Sequence, residues 1–173
     1  IDANKKKNFS TADGATLFTL YDTVSGLPTN EFNRVFRKDD KVIFGTITGF
    51  YSFDYRKNKF YSDSAISKAI DGQNEKQIAD FLQFNSNEYL VLNYSSEKGT
   101  TINQIKKIAT GYESIYSKPY KRLYKSNISC FYTDSLKKLL IGTSRGLLLL
   151  DLKVKKNFEQ RESIILNSSS IPP

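Results

Sequence analysis

The chain has 173 residues, of which 39% are hydrophobic, and this is enough for one domain with an apolar core. It contains no histidine and one cysteine, Cys130, which excludes Ser-His-Asp and Cys-His catalysis, a cysteine–histidine zinc cluster and an internal disulfide. The formal net charge is +8, but the lysines lie in short clusters that recur along the chain. This recurrence indicates a repeated structural position rather than one anion-binding patch.

The first clear group of strands begins at residue 32. "FNRVF" (32–36) is rich in β-forming residues and precedes a polar turn. "VIFGT" (42–46), a turn closed by Gly49 and "FYSFD" (50–54) follow, and a fourth strand is predicted to begin at Phe60. Four strands in so short a segment leave no room for a crossover helix, so they are predicted to form an antiparallel meander.

The middle of the chain carries a weaker version of the same unit. "YLVLNYSSEKGTTINQI" begins at Tyr89 and places Asn93 where the first unit has Gly45, 48 residues earlier. The segment "SSEKG" lengthens the turn. Such a degenerate copy would not be recognised without the two clearer ones that flank it.

The last unit repeats the first one column by column. "LLIGTSRGLLLLD" (139–151) matches "VIFGTITGFYSFD" (42–54), "ISCFY" (128–132) precedes it, and a fourth strand is predicted at Phe158. Gly142 follows Gly45 by 97 residues, close to twice the repeat of about 48. A phosphate-binding glycine loop would open a helix, whereas a strand follows Gly146, so the glycines are predicted to serve turns and close packing.

A four-stranded antiparallel unit repeated every 40–50 residues or so is typical of a β-propeller blade. We therefore predict an all-β chain of about three and a half blades. Residues 1–28 would form the outer strands of a preceding blade, 29–75 a blade, 76–125 a degenerate blade and 126–173 a further blade. Because alternate apolar side chains point to opposite faces, each sheet needs a neighbour on both sides. The chain is therefore predicted to be a fragment of a larger propeller, or to associate with itself.

The quoted segments resemble the two-component regulator propeller repeat, whose pattern runs approximately L-P-x-N-x-V-x-x-I-x-x-D-x-x-G-x-L-W-I-G-T-x-x-G-L-x-x-F-D. "GLPTNEFNRVFRKDDKVIFGTITGFYSFD" (26–54) and "SNISCFYTDSLKKLLIGTSRGLLLLD" (126–151) carry the resemblance, which extends over essentially the whole chain. The tryptophan usual before I-G-T is replaced by Ile43 and Leu140.

The resemblance implies a sensor segment of a bacterial hybrid two-component regulator. Such segments are periplasmic, their parent chains are anchored in the inner membrane, and many respond to oligosaccharides. It implies a non-catalytic piece with no catalytic residue, cofactor or metal, whose partners are an oligosaccharide and the remaining blades of the parent chain. No membrane contact is expected from this segment itself.

Candidate ligand-binding residues follow from the order of strands within a blade. The connections between blades and the turns between second and third strands share one edge of a propeller, where hydroxyl, amide, carboxylate and guanidinium groups suit a polyol. The residues predicted there are Asn30, Glu31, Thr46, Thr48, Ser95, Glu97 and Arg145, with Thr29 and Ser144 beside them. The alternative is that these residues serve only turn chemistry.

Other functions remain open from the sequence. A propeller enzyme acting on polysaccharide would need two converging carboxylates, for which Glu31 and Glu97 are the candidates. A protein-interaction scaffold would use the exposed surface instead. The lysine-rich tips lie at the opposite edge and are predicted to keep the repeat soluble rather than to bind nucleic acid, because no stacking aromatics are interleaved with them.

Overall fold

The computed structural model describes residues 8–10, 16–70, 77–96, 99–115, 120, 123, 127–134 and 138–151, with side chains from residue 19 up to residue 150. The strand predicted at Phe158 lies outside these residues. The strands are β1 (Asn8–Ser10), β2 (Thr16–Thr19), β3 (Arg34–Lys38), β4 (Lys41–Thr46), β5 (Gly49–Asp54), β6 (Lys59–Ser62), β7 (Gln77–Gln83), β8 (Glu88–Ser95), β9 (Gly99–Ile108), β10 (Gly111–Ile115), β11 (Ile128–Thr133), β12 (Lys138–Thr143) and β13 (Gly146–Asp151). A short helix, α1 (Ser64–Lys68), and a 3₁₀ turn at Thr23–Ser25 complete the described elements.

The strands form antiparallel sheets in which neighbours in sequence are neighbours in space. β1 pairs with β2, β3–β6 form the first sheet, β7–β10 the middle sheet and β11–β13 the third sheet. Every pairing within them is antiparallel. The prediction of an all-β chain built from blade-like antiparallel meanders is therefore confirmed.

The middle sheet is packed on both faces. One face meets the first sheet in an apolar interface that contains Ile43, Phe50 and Val91. The other face meets the third sheet through Leu92, Leu139 and related side chains. Val91 and Leu92 are neighbours on one strand and both are fully buried. Their side chains point to opposite faces, so each interface takes alternate residues of β8.

Helix α1 was not predicted from the sequence. It lies in the connection between the first and middle sheets, and the Asp63 carboxylate accepts a hydrogen bond from the Ile66 amide at its start. Ile66, Ala69 and Ile70 are buried in the interface between these two sheets. The helix thus adds apolar cover to this interface without crossing over any sheet.

The alignment that placed Asn93 at the position of Gly45 is wrong by one residue. Asn93 alternates with Val91 on β8 and therefore faces the first sheet, where its Oδ1 accepts hydrogen bonds from Thr101 Oγ1 and Asn103 Nδ2. A Cβ on Gly45 would instead point from the first sheet into the middle sheet. A slip of one residue reverses the face of a strand, and Tyr94 has the orientation that corresponds to Gly45.

Candidate functional site

The turns between second and third strands lie at the same edge of each sheet as the connection into its first strand. The first strands β3 and β7 run in the same direction: Gly45, paired with the start of β3, packs on Ile78 at the start of β7. At the other end of these strands Asp39 bonds Gln83. In each sheet we call the end that carries the turn between its second and third strands the turn edge; this turn is Thr46–Gly49 in the first sheet and Thr143–Gly146 in the third. In the first sheet the turn edge also carries the loop 27–33, and Asp39 lies at the opposite edge.

The first and last turns are built by the same hydrogen bonds. Thr46 Oγ1 donates to the Gly49 carbonyl at 2.9 Å and accepts from the Thr48 amide at 3.2 Å. Thr143 Oγ1 makes the corresponding bonds to Gly146 and Arg145, also at 2.9 and 3.2 Å. Both glycines have positive φ, 120° at Gly49 and 132° at Gly146, which disfavours a side chain there. The repeat therefore fixes the backbone of the turn and leaves the second intervening residue free to vary.

The loop before β3 is held by its own side chains. Thr29 Oγ1 donates to the Glu31 carbonyl at 2.8 Å, and Asn33 Nδ2 donates to the Thr29 carbonyl at 2.9 Å. Asn30 Oδ1 accepts a hydrogen bond from the Thr23 amide at 3.1 Å. These bonds fix the loop although its residues are mostly exposed.

The predicted site residues fall into different environments. Asn30, Glu31, Thr48 and Arg145 are exposed at the turn edge, as is the neighbouring Ser144. Thr46 is 0% exposed, and its hydroxyl is used within the turn, so its geometry fits turn chemistry rather than ligand contact. Ser95 is half-buried. Glu97 lies outside the described residues.

Sequence reasoning missed aromatic side chains at the same edge. The sequence predicts a strand that begins at Phe32, but β3 begins only at Arg34, and the Phe32 side chain is 59% exposed. Its φ is +58°, a conformation that costs energy for a bulky residue. Tyr51 also reaches this edge, with its hydroxyl 3.3 Å from Thr48 Oγ1. The sequence signal that could have indicated this is a phenylalanine within a polar segment, "PTNEFN", just ahead of a predicted strand.

At the opposite edge, Asp39 joins the first sheet to the middle sheet. Its Oδ1 accepts hydrogen bonds from Gln83 Nε2 at 2.9 Å and from the Tyr89 hydroxyl at 3.2 Å, and Lys107 Nζ lies 3.5 Å from Oδ2. Partial burial alone would raise the pKa of Asp39, but the bond from Gln83, the charge of Lys107 and the hydroxyl of Tyr89 lower it below 3.8. Burial and the nearby Asp39 charge raise the pKa of Tyr89. These contacts hold the first sheet against the middle sheet, so both carboxylate oxygens of Asp39 already have partners within the protein.

A second carboxylate links the middle and third sheets. Asp80 accepts hydrogen bonds from its neighbour's amide, Phe81 N, and from Phe131 N on β11, each at 2.8 Å. Burial raises the pKa of Asp80, against the lowering effect of these amides and of the charge of Arg34. Because both oxygens are occupied by backbone amides, the geometry assigns Asp80 to packing of the sheets.

The chemistry-bearing groups of the described residues do not form a metal centre. Among these residues no group of three or more Asp, Glu, His or Cys could hold a metal ion. Within the same residues no helix has the length and hydropathy needed to cross a membrane. The groups that the turn edge exposes for binding are hydroxyl, amide, carboxylate, guanidinium and aromatic side chains.

Comparison with known proteins gives no further assignment. No protein-family model matches the chain, and no curated protein matches it. Functional inference therefore depends on the geometry of the sheets and their edges, together with the resemblance of the repeated segments described above.

Proposed function

We propose that the chain is a non-catalytic, ligand-sensing β-propeller segment of a bacterial two-component regulator, and that its turn edge binds an oligosaccharide. The supporting observation is the pair of turns that share one hydrogen-bonded backbone and differ in the side chain they expose. Thr48 is carried by one turn and Arg145 by the other. Constant turns with variable exposed residues are what a repeat protein needs to build a binding surface.

The chemistry of this edge suits a polyhydroxylated ligand. Hydroxyls and amides can both donate and accept hydrogen bonds, and a guanidinium offers a planar set of donors. Exposed rings such as Phe32, 59% exposed, add apolar area on which a sugar ring can lie. The periplasmic location and the membrane-anchored parent chain belong to this proposal and are supported by the resemblance of the two glycine-threonine repeats.

A polysaccharide-acting enzyme is the second hypothesis from the sequence. It would require two carboxylates flanking a sugar, and the candidates were Glu31 and Glu97. Glu31 is exposed in the loop before β3, and Glu97 is outside the described residues. Two further carboxylates, those of Asp39 and Asp80, accept hydrogen bonds from a neighbouring sheet. No specific observation favours catalysis, so binding is the function we propose.

Binding to an array of neutral and acidic oligosaccharides tests the proposal. We expect the wild-type chain to retain a subset of these glycans and Arg145→Ala to lose on the order of tenfold in affinity, as removal of a charge-assisted hydrogen bond implies. Thr48→Ala should weaken binding to a smaller extent. Circular dichroism should show that both variants remain folded, because both positions are exposed.

Lys57→Ala is the matched control, since Lys57 is an exposed cation in the β5–β6 turn at the opposite edge. It should bind like the wild type. Loss of binding in Lys57→Ala together with unchanged binding in Arg145→Ala would move the site to the other edge. Absence of binding to any glycan by the folded chain would contradict the oligosaccharide assignment.

A further inference from the structure

The third sheet has an exposed apolar face that corresponds to a buried face of the first sheet. Sheet pairing places its side chains on the side turned away from the middle sheet. Leu147 and Leu149 are 66% and 60% exposed, and Tyr132 is 66% exposed. We call this surface the third-sheet face; its residues are Cys130, Tyr132, Leu140, Gly142, Leu147 and Leu149.

In the first sheet, the corresponding face of the repeat is buried against a neighbouring sheet. Leu140 and Leu147 stand 97 residues after Ile43 and Phe50, the residues of the first sheet that pack against the middle sheet. Ile43 is 2% exposed and Phe50 is 0% exposed. In the third sheet Leu147 is 66% exposed and Leu140 is half-buried, so the same positions of the repeat are more exposed where the described residues place no further sheet over them.

A glycine marks the closest approach in both copies. A Cβ on Gly45 would lie 2.8 Å from Ile78 Cβ of the middle sheet, so that sheet fits directly into the space left by the glycine. Gly142 occupies the equivalent position on the third-sheet face, where a Cβ would meet only atoms of Cys130. The third-sheet face thus keeps the same recess for an apolar side chain from another sheet.

The first sheet also has an exposed apolar face, on the side turned away from the middle sheet. Val35 and Val42, on the face of the first sheet turned away from the middle sheet, are 67% and 48% exposed. Their counterparts in the third sheet are Phe131 and Leu139, which are 7% and 0% exposed because they pack against the middle sheet. We call the surface around Val35 and Val42 the first-sheet face.

Tyr21 covers part of the side of the first sheet that is turned away from the middle sheet. Tyr21 packs edge-on against Phe53 and Phe60, at ring-centroid distances of 5.0 and 5.6 Å, and bonds Asn58. This contact shields the side chains of β5 and β6 on this face from solvent. The exposed valines lie on β3 and β4, so these two strands carry the part of the first-sheet face that Tyr21 does not cover.

We propose that the third-sheet face of one copy of this chain docks on the first-sheet face of a second copy. Each face then receives the kind of neighbour that its counterpart has within the chain, so the contact continues the stacking of the first, middle and third sheets. The contact is heterologous, because two different surfaces meet, and it closes into a ring only if the rotation between copies permits it. This association is independent of oligosaccharide binding at the turn edge.

Sedimentation velocity over a concentration series tests the proposal. The wild-type chain should associate reversibly as concentration rises. Leu147→Asp and Val42→Asp should each weaken association on the order of a hundredfold, since each would bury an unpaired carboxylate. Tyr94→Asp is the matched control: Tyr94 is 47% exposed but belongs to the middle sheet, whose faces are both covered. It should associate like the wild type.

Mixing the two interface variants distinguishes this contact from others. Leu147→Asp retains the first-sheet face and Val42→Asp retains the third-sheet face, so an equimolar mixture should form a one-to-one dimer at concentrations where each variant alone is monomeric. Leu149→Asp, checked for folding by circular dichroism, replaces Leu147→Asp if the latter does not fold. A wild-type chain that stays monomeric at the highest concentration reached, or a Val42→Asp variant that still dimerises, would overturn the proposal.

Discussion

Gly45 shows how a single residue sets the distance between two sheets. A Cβ there would lie 2.6 Å from the Phe36 ring and 2.8 Å from Ile78 Cβ, which is closer than carbon atoms can pack. The glycine is needed for space rather than for its backbone conformation, because its φ is not positive.

We expect Gly45→Ala to destabilise the chain by about 1–3 kcal/mol through overpacking between the first and middle sheets. Gly142→Ala is the matched control from the other copy of the repeat, where a Cβ would lie 3.0 Å from Cys130 Sγ on an exposed face. Urea unfolding of both variants measures the difference. Equal losses of unfolding free energy would show that Gly45 is not a point of closest packing.

Asp39 supports a second residue-scale prediction. Asp39→Ala should lower the unfolding free energy by about 1–3 kcal/mol, because Gln83 and Tyr89 lose their acceptor. Asp39 also has φ of +52°, which Asn tolerates better than Ala, so Asp39→Asn should lose less. Asp40→Asn, in the same turn with a side chain that is 95% exposed, is the control and should be near neutral.

The charge of Asp39 predicts a dependence on pH. Its pKa in the folded chain is lowered from 3.8, so the folded state binds fewer protons than the unfolded state below that pH. The stability contributed by the carboxylate is fully present above pH 3.8 and is lost as pH falls through the lower, folded pKa. The difference in unfolding free energy between wild type and Asp39→Asn should therefore shrink with acidification. A difference that grows instead would reverse the assigned direction of the shift.

At the scale of elements, the two glycine-threonine turns have the same hydrogen bonds but different surroundings. Thr46 is 0% exposed whereas Thr143 is partly exposed, so the loss of each hydroxyl should have unequal consequences. Thr46→Val should cost about 1–3 kcal/mol because buried turn groups lose their partner, whereas water can replace the hydroxyl at Thr143 and the cost should stay below about 1 kcal/mol. Chemical denaturation of the two valine variants gives the comparison.

The strands that the sequence predicted well are those with strong, short patterns. β4, β5, β12 and β13 each begin one residue before the predicted segments and end where they do, because short apolar runs are bounded there by glycine and charged residues. The all-β meander follows from their spacing. Whether the exposed residues of the turn edge bind a ligand remains a prediction.

Other elements depended on information that the pattern does not carry. The face of Asn93 is fixed by pairing across β8 and β9 and by burial. A repeat spacing of about 48 residues tolerates a shift of one residue, and such a shift reverses the face. Helix α1 is too short for periodicity to be decisive, although Asp63 and the spacing of Ile66, Ala69 and Ile70 are the signals of a capped, half-buried turn. The joining of Asp39 to Gln83 and Lys107 required the tertiary structure.

For the whole molecule, stability depends on stacking of sheets rather than on any single sheet. The apolar interfaces on the two sides of the middle sheet contain the largest fully buried side chains, among them Tyr89, Phe50 and Leu92. Burial of each such side chain contributes about 1.5–3 kcal/mol, so the two interfaces together outweigh any individual hydrogen bond between the sheets. The open faces of the first and third sheets are the sites where further stacking can occur.

Substitution of the adjacent residues Val91 and Leu92 by aspartate, one at a time, tests the stacking most directly. Their side chains point to opposite faces of β8, so only a sheet covered on both sides rejects both charges. We expect each variant to lose several kcal/mol, about the cost of an unpaired buried charge, or to fail to fold, with Tyr94→Asp remaining folded as the control. Chemical denaturation that shows either Val91→Asp or Leu92→Asp to be as stable as the wild type would contradict the account.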